Sequence, residues 1–148
     1  MLSQPFLYLS LYFRQHRADY YDALQRVRTH GDWEGWIRFY LVGVEEVATQ
    51  ATETSRALLS LFESDRARVQ KVGRGAASAP RVYDGLRRKI IVSIPRAADA
   101  TGLTRPTVTA ALERLAGLGI AREITGKRRD RQFVYSQQLT LLNKGIGE

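Results

Sequence analysis

Two stretches of this 148-residue chain carry the side chains best suited to chemistry. The first runs from Thr104 to Arg114 and holds Arg105, Thr107, Thr109 and Ala110 between its ends. The second is Gly126-Lys-Arg-Arg-Asp-Arg131, with Lys127, Arg128, Arg129 and Arg131. Both suit electrostatic capture and reading of a polyanion. Short side chains let a helix approach a major-groove floor, an arginine forks onto guanine, and threonine hydroxyls and methyls meet base edges or phosphates. Basic side chains at a hairpin tip reach phosphates or a minor groove. Covalent and metal chemistry have far less to work with. There are no cysteines, which excludes disulfides, a cysteine nucleophile, cysteine-ligated zinc and iron–sulfur clusters. Two histidines, His16 and His30, exclude a histidine-rich metal centre, and each reads as a structural or surface histidine rather than a base. Gly73-Arg-Gly75 lacks phosphate-loop spacing.

Charge distribution supports the same reading. Residues 1–80 hold 10 Lys/Arg and 9 Asp/Glu, whereas residues 81–148 hold 13 and 6. Nearly all of the net charge of +8 therefore lies in the C-terminal part. Such asymmetry points to a polyanion partner, most often nucleic acid, with a basic surface kept for solubility as the plainer alternative.

The elements that would hold these residues follow from pattern and capping. Pro80 to Arg88 reads as a short helix and Ile90 to Val92 as a brief strand. Ser93 caps a helix that has Pro95 in its first turn and Gly102 at its end. Leu103 plugs the turn, and Thr104 caps a helix with Val108, Ala111, Leu112 and Leu115 on one face. Gly117-Leu-Gly119 closes it. Strands over Ile120–Thr125 and Arg131–Tyr135 would flank the basic tip. Two helices joined by a short glycine turn, followed by a basic hairpin, make a winged helix-turn-helix. Such a unit binds duplex DNA or, alternatively, contacts protein.

The N-terminal part reads as helices. Phe6 to Phe13 is almost continuously apolar after Pro5, as in a helix buried on most sides. It is shorter than the ~20 residues that span a bilayer and has no basic segment before it, so neither a membrane span nor a signal peptide is expected. A cytoplasmic setting fits the lack of cysteine. Ala18 to Thr29 forms a second helix, stopped by Gly31. Asp32 caps a third, whose stripe of Trp36, Phe39, Tyr40, Val44, Val47, Leu58, Leu61, Phe62 and Val69 is sustained to Gly73. That is one helix of roughly 40 residues, or ~60 Å, bent at Gly43 and weakened over Thr49–Ser55. Its far half is expected to bridge to the second unit or to meet another chain. Residues 73–79 form the linker, dividing an N-terminal unit, 1–72, from a C-terminal one, 80–148.

Leu7-Tyr-Leu-Ser10, Tyr12-Phe13, His16-Arg17, Tyr20-Tyr21, Leu24, Val27-Arg28, Gly31-Asp-Trp-Glu34, Trp36 and Phe39 resemble the segment that follows the catalytic loop of Fic-family proteins. Many bacterial members also carry a C-terminal winged helix after a long helix, so the resemblance spans the chain. It implies a mainly α fold: the helical tail of a Fic domain, a long connecting helix, then the winged helix. The family transfers AMP, or another phosphate-containing group, from a nucleotide to a protein hydroxyl. It does so through His-x-Phe-x-Asp/Glu-Gly-Asn-Gly-Arg-x-x-Arg, which this sequence lacks. In the family that motif precedes the matching segment and would fall before Met1. The resemblance thus implies the C-terminal portion of a Fic protein, from a fragment, a late internal start or a broken gene. The chain would be non-catalytic and without cofactor, and ATP and magnesium would belong to a full-length parent. Tyr20, Tyr21 and Leu24 match positions lining the family's adenine pocket, whereas read by themselves they are ordinary core. Removal of upstream helices would bare Phe6, Leu7, Tyr8, Leu11, Tyr12 and Phe13, so self-association through that face or the long helix is expected.

Overall fold

The computed structural model describes residues 9–71, 78–127 and 130–144, and the chain divides into two compact units. The fold is mainly helical, with one small antiparallel sheet.

The first unit contains α1 (Leu9–Gln15), α2 (Arg17–His30) and the part of α3 (Trp33–Gln70) up to Arg56. The stop between α2 and α3 works as its residues dictate. Gly31 sits at φ 68°, in the left-handed region open to glycine. Its N–H donates to the Val27 carbonyl at 3.0 Å, and the Asp32 N–H donates to Arg26 at 3.4 Å. The Asp32 carboxylate then accepts from the Gly35 N–H at 2.9 Å and caps α3.

Gly43 makes room for a neighbouring ring. A Cβ there would stand 2.5 Å from a ring carbon of Tyr12. Glycine leaves the seat in which that ring is buried, 4.4 Å from the His16 ring and 5.5 Å from Phe39. Phe13, Tyr20, Trp36 and Phe39 complete a half-buried aromatic cluster, with Phe13 stacked on Tyr20 at 5.1 Å. The polar stretch Thr49–Ser55 does not interrupt α3. Thr52 and Ser55 donate to the carbonyls of Ala48 and Ala51, each at 2.8 Å, so the hydroxyls are satisfied on their own helix. The predicted stripe is covered only in part. Val47 is buried, but Tyr40 and Val44 are exposed, because the apolar arc of α3 is wider than the faces α1 and α2 present to it.

The second unit spans Ala57–Leu142. After the final turns of α3 come α4 (Ser78–Lys89), β1 (Ile91–Ser93), α5 (Ile94–Thr101), α6 (Arg105–Gly117), β2 (Ala121–Glu123), β3 (Gln132–Tyr135) and most of α7 (Ser136–Lys144). The sheet order is β1-β3-β2, both pairs antiparallel, with Val92 opposite Phe133 and Ala121 opposite Tyr135. Leu86, Val108, Leu112, Leu115, Ile120 and Phe133 are fully buried at its centre.

The division therefore falls inside α3, between Arg56 and Ala57, and not at residues 73–79. The reason is packing that composition does not reveal. Val69 belongs to the second core, and Leu61 and Phe62 pack against it. A buried polar chain fastens the same turns. The Asp65 carboxylate accepts from the Tyr135 hydroxyl at 2.6 Å and pairs with Arg68 at 2.7 Å. The Tyr83 hydroxyl donates to the Phe62 carbonyl at 3.2 Å. Burial, and then the bond to Asp65, push the Tyr135 hydroxyl far above an ordinary tyrosine, so it donates at every accessible pH. Two expected linker residues, Ser78 and Ala79, open α4, and Ala79 is buried; the linker's remainder, residues 73–77, lies outside the described residues.

Ser93 occupies the cap position of α5, yet its hydroxyl makes no cap bond. Its backbone is committed to the sheet opposite Gln132, and Pro95 sets the first turn instead. α7 is an element for which the sequence carried no assignment.

Candidate nucleic-acid interface

α6 is built as a helix with one buried and one open face. Thr104 opens it in an extended conformation and accepts from the Thr107 N–H at 3.4 Å, and Pro106 lies in its first turn. Val108, Ala111, Leu112 and Leu115 are buried, as their spacing predicts. The three-residue connection Gly102-Leu-Thr104 turns on Gly102 at φ 65°, and Leu103 packs against the core. The other face carries Arg105, Ala110 and Arg114, all exposed. The Arg105 guanidinium has no ion-pair or hydrogen-bond partner among the described residues.

The two inner threonines are less free than their types suggest. Thr109 donates its hydroxyl proton to the Arg105 carbonyl at 2.9 Å. The Thr107 and Thr104 hydroxyls share a bond of 2.8 Å. Thr107 and Thr109 are both half-buried, and the bond to its own helix commits the Thr109 proton, so Thr109 can accept a bond more readily than it can donate one.

At the hairpin between β2 and β3, Lys127 is exposed, and Arg128 and Arg129 lie outside the described residues. Arg131 has another occupation. Its guanidinium bonds Glu123 on β2 at 2.8–2.9 Å and Glu113 on α6 at 2.9 Å, and it lies over the Phe133 ring at 5.1 Å. The hydrogen bonds from Arg131 hold the Glu123 carboxyl below its ordinary range. Arg131 thus fixes the base of the hairpin to the open-faced helix and has its charge matched by two acids, instead of standing out as a phosphate contact. One guanidinium between two carboxylates leaves the trio with a net charge of −1, so Glu113, on α6, keeps an acid beside the open face.

Sequence reasoning missed Arg122, exposed on β2, and the two acids that hold Arg131. Alternation along Ala121–Glu123, which turns Ala121 inward and Arg122 outward, was the available signal for the first.

Of the residues matched to an adenine pocket, Tyr20 is half-buried in the aromatic cluster of the first unit. Tyr21 and Leu24 are exposed, 56% and 37%, so neither is the ordinary core that its helical spacing suggests. The Arg17 guanidinium lies over Tyr21 at 5.5 Å. Among the described residues, no cluster of three or more His, Asp or Glu is placed to hold a metal ion, and no helix is long and apolar enough to cross a membrane. No known protein-family model matches the chain.

Proposed function

We propose that residues 57–142 form a winged helix-turn-helix that binds duplex DNA, with α6 as the recognition helix and the β2–β3 hairpin as the wing. The observation that carries this reading is α6 itself. Its apolar face is wholly buried, and its outward side carries Arg105, small side chains and Arg114, with Glu113 tied to Arg131, and no large apolar group. The element order α4-β1-α5-α6-β2-β3, the sheet order β1-β3-β2 and the basic hairpin support it. In this reading Arg105 and Thr107 meet base edges, while Lys127, Arg128 and Arg129 meet phosphates.

A titration of the full chain against mixed duplex DNA at two salt concentrations tests it. Arg128→Ala with Arg129→Ala should weaken binding to every sequence and flatten the salt dependence, since each lost phosphate contact removes about one released counterion. Arg105→Ala should lose ~1–3 kcal/mol on a preferred site and much less elsewhere. Absence of binding even at low salt would make the unit a protein-contact element.

For residues 9–56 the proposal is the helical tail of a Fic domain, part of a longer adenylyltransferase and non-catalytic in this chain. The exposed Trp33, Ile37 and Leu41 support it, as side chains that further helices would cover. They equally support pairing with a second copy. Transfer of labelled AMP by this chain, above a heat-killed control, would overturn the non-catalytic assignment.

A further inference from the structure

Between α4 and α5, beside the edge strand β1, lies a cleft of about 500 Å³. That volume falls within the range of small-molecule sites. Four of its lining residues are cationic, Arg81, Arg88, Lys89 and Arg96, and Asp84 is the one acid among them. Arg81 is already engaged. It donates to the Thr101 carbonyl at 2.5 Å, and since both residues line the cleft it acts as a strut from α4 to the end of α5. Arg88, Lys89 and Arg96 are exposed and have no ion-pair or hydrogen-bond partner among the described residues. The Asp84 carboxylate stands 4.0 Å from Arg87, whose guanidinium covers the Phe62 ring.

Three cations without partners among the described residues, set around one cleft, favour an anionic ligand, and guanidinium forks match phosphate oxygens. A bare oxyanion would leave the rest of the cleft unused. Its floor is apolar, made by Val82, Val92 and Ala97, and Ile91 stands at its edge with 45% of its surface exposed. None of the lining residues lies on α6 or on the β2–β3 hairpin, so the cleft is separate from the surface assigned above to DNA.

We propose that the α4–α5 cleft binds a nucleoside polyphosphate, with Arg88, Lys89 and Arg96 on the phosphates and the base against Ile91 and Ala100. Calorimetric titration of the full chain at low ionic strength tests this, with ATP as probe and adenosine and inorganic pyrophosphate as partial ligands. ATP should bind, and each partial ligand should bind at least tenfold more weakly. Arg88→Ala with Arg96→Ala should weaken ATP at least tenfold while the melting temperature is kept. Ile91→Asp should do the same from the apolar side, and Arg105→Ala should leave ATP binding unchanged. The proposal is overturned if ATP gives no binding at millimolar concentration, if the double variant still binds it, or if pyrophosphate binds as tightly as ATP. Competitive displacement of ATP by duplex DNA would overturn it too, since the cleft would then belong to the DNA surface. Duplex DNA binding that survives Arg88→Ala with Arg96→Ala but weakens in Arg128→Ala with Arg129→Ala separates the fate of this proposal from that of the DNA interface.

Discussion

Leu86, Leu112 and Leu115, in residues 57–142, are wholly buried, whereas Trp33, Ile37 and Leu41, in residues 9–56, keep 63%, 52% and 57% of their surface exposed. The difference is not one of composition, since both regions are rich in apolar side chains. It lies in what each has to pack against. The second unit has helices on several sides and a sheet, so most of its apolar side chains meet others, with Leu59, Ile91 and Ile124 left exposed. In the first unit, α1 and α2 leave much of the apolar arc of α3 open, and Tyr12, Ala23 and Val47 are its buried apolar residues among those described. Burying a Leu or Ile side chain contributes about 1.5–3 kcal/mol, so the uncovered face of α3 represents stabilisation not yet used. The second unit reads as a self-sufficient fold, and the first as a surface prepared for something else.

The sharpest way to break this comparison is a matched pair of truncations. Leu112→Ala should destabilise the second unit by about 2–5 kcal/mol, seen as a lower urea midpoint by circular dichroism. Leu41→Ala should cost less than about 0.5 kcal/mol and should reduce self-association of the full chain at micromolar concentration, measured by sedimentation. Equal costs at the two sites would mean that Leu41 is covered in solution and that the units do not differ in this way.

Gly43→Ala sharpens the comparison from inside the first unit. An alanine in mid-helix ordinarily gains about 1 kcal/mol over glycine. Here its Cβ would meet the Tyr12 ring at 2.5 Å, and that ring is boxed in by His16, Phe13 and Phe39. Overpacking costs about 1–3 kcal/mol, so the substitution should lower the melting temperature of the full chain. In a Tyr12→Ala background, Gly43→Ala should cost far less than it does in the parent. A gain in stability on Gly43→Ala would show that Tyr12 does not hold α1 against α3.

Much of this was legible in the residues. The caps at Asp32 and Thr104, the stops at Gly31 and Gly102, and the inward face of α6 follow from local rules that need no tertiary information. Gly43 was legible only as a glycine. Whether it bends a helix or seats a ring depends on which residue arrives opposite it, and Tyr12 lies 31 positions away in sequence. Asp65 shows the same limit. It lies on the apolar stripe between Phe62 and Val69, which marks it as turned inward, but its partner Tyr135 comes from the other end of the chain. The unit boundary was misplaced for the same cause, since the side chains that draw the end of α3 into the second core are read only in three dimensions. On the β2–β3 hairpin, Arg131 looked in sequence like its basic neighbours. A run of like charges does not reveal which member is matched by acids on other elements.

That matched arginine supplies the smallest expected effect and a final contrast between the units. Arg131 holds the Glu123 carboxyl below its ordinary range, so the folded state binds its proton less readily than the unfolded chain does. A carboxyl depressed in this way stabilises the fold above the ordinary glutamate value of about 4.3, and the contribution is lost as pH falls through the lower, folded value. Glu123→Gln should therefore lower the melting temperature at pH 7, and the gap from the parent should close as the pH is brought down through the carboxylate range. Glu34 and Arg38, paired at 3.1 Å on the first unit, both lie largely in water, 86% and 75% exposed. Solvent screens such a pair. Glu34→Gln should leave the melting temperature unchanged at pH 7. A gap for Glu123→Gln that persists at low pH would mean that the shape of the side chain, and not its charge, ties the hairpin to α6.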